Sequence, residues 1–213
     1  SCPGISPTDR LRAPHRPTAE LGAVSRFGVF SDSEVERRER AAHWHVDAYL
    51  KQAYGFTAPP AWLGQGLRAY VSERFIGSRL SLDSKTVNRS TTGTPSWVEG
   101  MRETRPRRRR TMIQLARKML DAEQAPLLDE LLTRSLADFT VEDTLLAHAL
   151  IAYLVEGHGP AVLDPVMRAI ASGADPVSGI ALTHQQRALE SGLDLSLSAL
   201  QLRVHEWVDE MQR

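Results

Sequence analysis

Residues 31–55, SDSEVERRERAAHWHVDAYLKQAYG, and residues 59–77, PPAWLGQGLRAYVSERFIG, decide the fold. In the first stretch, Val35, Ala42, Val46, Tyr49, Leu50 and Ala53 recur at helical spacing. Ser31 or Asp32 supplies the N-cap and Gly55 the stop. In the second, Pro59 and Pro60 open a helix whose apolar stripe is Trp62, Leu63, Leu67, Tyr70 and Val71, closed by Gly77. Both stretches turn one apolar stripe inward, which is the pattern of helices packed on a shared core.

The rest of the chain repeats this grammar. Residues 78–94 are rich in Ser, Thr, Asn and Gly and read as a long loop. Beyond about residue 95 there is almost no period-2 alternation, so no sheet is required. Met112, Ile113, Ala116, Met119 and Leu120 mark one helix, Leu127 to Leu136 a second, and Leu145, Leu146, Leu150, Tyr153 and Leu154 a third ending at Gly157. Pro160 starts a helix that Gly173 closes. Asp175-Pro176 reads as a cap with proline at the first helical position, and that helix runs to about Ser191. The last helix carries Leu197, Leu200, Val204, Trp207, Val208 and Met211 on one face, with Asp194 or Ser196 as cap.

Residues 1–22 contain Pro3, Pro7, Pro14 and Pro17 and few apolar residues, too few to offset their ordering entropy. The expected organisation is an irregular arm over 1–22 and one all-α domain of about seven or eight helices over 23–213.

Lys+Arg and Asp+Glu are equal at 26 each, so no global field favours nucleic acid, anionic lipid or an acidic substrate. No window approaches the roughly 18 apolar residues of a membrane span, which leaves only peripheral membrane association open. The single cysteine, Cys2, rules out an internal disulfide framework and a cysteine-rich zinc module. Ser1-Cys2-Pro3 reads as a processed or truncated start, with Cys2 either a free thiol or a lipidation site.

Ala42-His43-Trp44-His45-Val46-Asp47, followed by Pro59-Pro60-Ala61-Trp62-Leu63-Gly64-Gln65-Gly66-Leu67-Arg68-Ala69-Tyr70, resembles the paired helices of peptidase-MA-like, gluzincin-type zinc metallopeptidases. In that family an HExxH helix precedes a helix that carries a glutamate ligand. The resemblance covers roughly residues 40–211 and implies the family's helical lobe without its β-rich lobe, together with an extracytoplasmic location in the periplasm or cell envelope.

The family's chemistry requires two histidines one turn apart, a glutamate between them as base, and a carboxylate from the next helix. With His43 in the first ligand position, Trp44 stands at the base, Asp47 at the second histidine and Gln65 at the glutamate ligand. Starting from His45 places Val46 and Tyr49 at the base and second ligand. Neither register contains a general base, a loss of about 10²–10⁴-fold or more in rate. The expectation is therefore no catalytic residue and no cofactor. A zinc site on His43, Asp47 and Gln65 is the alternative, since residues at i and i+4 share a helix face. Otherwise His43 and His45 are ordinary helix residues, one of them facing the core, and Trp44 and Trp62 are packing residues. Pro95-Ser96-Trp97-Val98-Glu99-Gly100 also resembles the glutamate-ligand helix but is one residue short.

Arg102, Arg105, Arg107, Arg108, Arg109 and Arg110 form the strongest charge run. It is either a solvated first turn or a contact for carboxylates or phosphates. The neutral overall charge and the lack of interleaved aromatics argue against nucleic acid. Scattered Ser together with His148, His158, His184 and His205 lack a nucleophile elbow, and Asn88-Arg89-Ser90 matches a glycosylation acceptor by chance pattern alone. These readings converge on a non-catalytic, pseudo-peptidase-type helical protein that binds a protein partner or stabilises a multi-subunit assembly. The arm and the arginine run are expected to make the contacts. The alternatives are a metal-dependent hydrolase with an atypical site and an anion-binding adaptor.

Overall fold

The computed structural model describes residues 34–79, 111–175 and 179–211. Among them the architecture is all-α. The helices are α1 (Glu34–Tyr54), α2 (Ala61–Val71), α3 (Met112–Asp121), α4 (Leu128–Thr133), α5 (Val141–Ala152), α6 (Leu163–Ser172), α7 (Leu182–Leu193) and α8 (Leu197–Glu210). Two of them run on without a break into π-helical turns, α2 through Ser72–Ile76 and α5 through Tyr153–Gly157. The arm, Cys2, Pro95–Gly100, Asn88–Ser90 and the arginines from Arg102 to Arg110 lie outside the described residues.

The centre of the fold is α5, whose twelve residues are all buried. Its sequence, VEDTLLAHALIA, has no polar stripe to offer to water, so it must be covered on every side. α2, α3, α4 and α8 all pack against it. Leu145, Leu146, Leu150 and Ile151 are fully buried, each worth about 1.5–3 kcal/mol of transfer free energy. The helix starts at a reciprocal cap: Thr140 N–H donates to Asp143 Oδ2 at 2.8 Å, and Asp143 N–H donates to Thr140 Oγ1 at 3.1 Å. That cap explains how Asp143, at 1% exposure, is tolerated in the core.

α2 crosses α5 at Gly66, where a Cβ would stand 2.8 Å from the Ala147 carbonyl oxygen and 2.9 Å from Ile151 Cγ1. The two backbones meet so closely that no side chain fits between them. Trp62 and Leu63 fill the space beside this crossing at 0% exposure. Gly77, at φ +68°, ends the π turn in the left-handed region.

Two expectations need correction. Asp175-Pro176 does not open the helix: Ala174 and Asp175 pair antiparallel with Ile180 and Gly179, and α7 begins only at Leu182. From there Gln185, Ala188 and Leu189 are its buried residues. α4 ends at Thr133, well short of Leu136, because Arg134 is extended and Asp138 folds back onto Ser135. Of the two caps offered for α8 the structure uses Ser196, whose Oγ accepts from Ala199 N–H, while Asp194 sits at φ +55° and terminates α7.

Candidate functional site

The residues singled out in α1 do face α2, but they are engaged with it. Glu39, His43 and Asp47 stand at i, i+4 and i+8, a single row along α1. Arg68 clamps Asp47 with Nε to Oδ1 at 2.9 Å and Nη2 to Oδ1 and Oδ2 at 2.6 Å each. His43 Nε2 lies 3.0 Å from Ser72 Oγ, and Ser78 Oγ donates to Glu39 Oε2 at 2.6 Å. The row is thus a polar seam that stitches α1 to α2 and its π turn.

These donors do not fit a zinc ion. A guanidinium already neutralises Asp47, and a cation on the same oxygens would face Arg68 at contact distance. His43 Nε2 meets Ser72, and Gln65 is half-buried on α2 about two turns before Ser72. Among the described residues no three His, Cys, Asp or Glu side chains converge. Burial holds His43 below the ordinary histidine value and Arg68 adds to that, against opposition from Glu39 and Asp47.

Glu39, His43 and Ser72 are the residue types of a hydrolytic triad, but the arrangement is not one. Glu39 Oε1 is 3.7 Å from His43 Nε2, the same nitrogen that meets Ser72. A relay needs the carboxylate on one ring nitrogen and the hydroxyl on the other.

Trp62 is a packing residue as expected, with its indole N–H donated to Gln185 Oε1 at 2.8 Å. Gln185 Nε2 in turn donates to the Ile180 carbonyl at 3.0 Å. Trp44 is not a packing residue: it is 71% exposed on the outer face of α1, beside the exposed His45. The apolar stripe passes through Val46 and Leu50 instead.

The concave site lies at the same C-terminal end of α2 but on another face. A cleft of about 630 Å³ opens between the two π turns, the start of α3 and the end of α8. That volume lies within the range of small-molecule sites. Tyr70, Glu73 and Arg74 come from α2 and its π turn, and His148 and Glu156 come from α5 and its π turn. Ile113, Ala152 and Met211 supply apolar wall. A π turn carries one more residue than an α turn and re-aims the side chains beyond it, which is why such turns recur at functional sites.

Glu73 is the hub of this cleft. Oε2 is 2.8 Å from His148 Nε2, and Oε1 accepts the Met112 backbone N–H at 2.6 Å. Its carboxylate is therefore the anion at the positive end of α3. Burial works against its charge, yet the bond from His148, the charge of that imidazole, the Met112 N–H and Arg79 together hold it below the usual carboxylate value. With Nε2 on Glu73, Nδ1 is the ring nitrogen left to find another partner. That atom is buried and has no hydrogen-bond partner. The Tyr70 ring lies 6.1 Å from the imidazole, and its hydroxyl donates to Glu156 Oε1 at 3.2 Å. Burial, and then Glu156, push the Tyr70 phenol up.

This cleft was not read from the sequence, where Tyr70 was counted into an apolar stripe and His148 among scattered histidines. One signal was present. His148 sits inside TLLAHALIAYL, and an imidazole in so apolar a helix must find a buried partner. Nothing in the spacing names Glu73 as that partner. Set against protein-family models, curated proteins and solved structures, the chain matches none.

Proposed function

We propose that the protein is a non-catalytic helical subunit that binds a protein partner or stabilises an assembly, as its resemblance to a metallopeptidase stripped of its motif implies. The Arg68–Asp47 clamp is the observation that supports it most. The position resembling the second metal ligand is held by a cation of the protein's own, in a three-contact bidentate geometry. The neighbouring seam residues are likewise committed to joining α1 to α2. Trp44, at 71% exposure, leaves an aromatic group of the kind enriched in binding hot spots on the free face of α1.

Arg102, Arg105 and Arg107–Arg110, with the arm of residues 1–22, remain the proposed contacts for an acidic or phosphorylated partner surface. An extracytoplasmic location belongs to the same proposal and rests on the resemblance alone.

The purified chain tests this reading through metal content and peptide hydrolysis. It is expected to contain no stoichiometric zinc and to leave peptides uncut. About one zinc per chain that disappears in His43→Ala, together with metal-dependent cleavage, overturns it. A complex isolated from the native source is expected to weaken when the chain is truncated before Ala23 or when Arg107–Arg110 are changed to Ser. If both variants keep the partner and Trp44→Ala loses it, the contact lies on α1 instead.

A further inference from the structure

The cleft between the two π turns has chemistry that the partner-binding reading does not use. Arg74 projects from the first π turn and Glu156 from the second, so they reach the cleft from different walls. They do not pair with each other, and Arg74 has no ion-pair partner among the described residues. Among the described residues Glu156 has only the 3.2 Å hydrogen bond from the Tyr70 hydroxyl. A carboxylate has room for about four hydrogen bonds, so most of its capacity is unused.

Between these two charges the wall is apolar at Ile113, Ala152 and Met211. At the wall stands His148, 2% exposed, whose Nδ1 is buried and unpartnered. Leaving a buried polar atom without a partner is costly, and functional sites are where such atoms are retained. Glu73 Oε2 holds Nε2, which leaves Nδ1 as the one unsatisfied polar atom of the ring.

We infer that this cleft binds a small zwitterion, a free amino acid or short peptide with an apolar side chain, whose ammonium is taken by Glu156 and whose carboxylate is taken by Arg74. The Tyr70 ring, half-buried with its hydroxyl on Glu156, adds a face that attracts an ammonium group. Arg74 matches the planar carboxylate in fork geometry. The apolar wall covers the side chain between the two charged ends. A purely cationic ligand leaves Arg74 opposed by like charge, and a purely anionic one meets Glu156 and Glu73. Only a ligand with both signs satisfies both walls. The inference is independent of the partner-binding proposal, since it concerns a different face and a small molecule.

The test is calorimetric or ligand-observed NMR titration of the full chain with leucine and leucyl-leucine. N-acetyl-leucine and leucinamide serve as the end-blocked probes. The free zwitterion is expected to saturate, with each blocked form weaker by about fivefold or more, the effect of losing one partly solvated charge contact. Arg74 and Glu156 are both exposed, so Arg74→Gln and Glu156→Gln leave the fold intact, which circular dichroism verifies. Arg74→Gln is expected to erase the difference between leucine and leucinamide, and Glu156→Gln the difference between leucine and N-acetyl-leucine. Binding by leucyl-leucine alone assigns the site to peptides, and binding by both assigns it to free amino acids as well. The inference is overturned if neither zwitterion saturates at about 10 mM, a binding free energy near −3 kcal/mol. It is overturned equally if the blocked forms bind as well, or if both variants bind like the parent.

Discussion

Glu73 and His148, 75 positions apart in the chain, meet at 2.8 Å between Oε2 and Nε2. They tie the π turn after α2 to the middle of the buried helix α5. The same carboxylate receives the first backbone N–H of α3, so one side chain fixes three helices around the cleft. Glu73→Ala is expected to destabilise the protein by about 1–3 kcal/mol, because it strands a buried imidazole. Glu73→Gln retains an acceptor and should cost less. Urea denaturation of both, of His148→Ala and of the double variant measures the coupling. Strictly additive losses would show that the pair contributes no interaction of its own.

The two glycines of the Trp62–Leu67 stretch separate packing from propensity. Gly66→Ala places a methyl group 2.8 Å from a backbone oxygen that cannot move aside, and is expected to cost about 1–3 kcal/mol. Gly64→Ala meets only Pro59 Cγ at 3.4 Å, and the gain in helix propensity should leave it neutral or stabilising by about 0.5–1 kcal/mol. Thermal melts of the two variants side by side decide the matter. Equal effects would argue against the close crossing.

The two tryptophans of α1 and α2 should respond differently. Trp62→Phe removes the donor to Gln185, leaving that buried carbonyl oxygen unsatisfied, at about 1–3 kcal/mol. Trp44→Ser removes a side chain that is 71% exposed and should change stability by no more than about 0.5 kcal/mol. Acrylamide quenching before and after each substitution checks the exposure directly: loss of Trp44 should remove more quenchable fluorescence than loss of Trp62.

The Asp47–Arg68 clamp is partly exposed, so its coupling energy should be about 1 kcal/mol or less despite its geometry. A double-mutant cycle with Asp47→Asn and Arg68→Gln measures it. Arg68→Gln also frees Asp47, and zinc titration of that variant asks whether the clamp alone keeps metal from the seam. No gain in zinc affinity is expected, since Asp47 stands where the second histidine would be and Gln65 where the carboxylate ligand would be. Tight zinc binding by the variant would contradict this.

Acidification should weaken the fold in two stages. Burial lowers the His43 and His205 values, so the unfolded chain binds protons that the folded chain resists. Their contribution is complete above about pH 6.5 and is lost as pH falls below that unfolded-state value. Glu73, also held low in the folded state, adds stability that is present above about pH 4.5 and lost further down. The melting temperature is expected to drop between pH 7.5 and 5.5. His43→Gln and His205→Gln should each flatten that slope. A flat profile across this interval would count against neutral, buried histidines.

The sequence by itself determined the helices. Apolar residues at helical spacing, Gly55, Gly77, Gly157 and Gly173 as stops, and Ser196 as a cap act within one or two turns, and so they show in a local reading. That α5 lies at the centre came from the structure, which buries all twelve of its residues. The His43–Asp47 spacing correctly put both side chains on one face of α1, but not what that face meets. The resemblance set these residues at degenerate ligand positions with a zinc site only as the alternative, and what they meet, Arg68 and Ser72, was decided by packing. Only the tertiary structure brought Glu73 to His148 and opened the cleft. The two π turns shift side chains by a fraction of a turn that no hydrophobic period records, and contacts across 75 or more residues depend on helix crossings. Those crossings are set by close approaches such as Gly66 on Ala147, where excluded volume rather than local propensity decides which side chains meet.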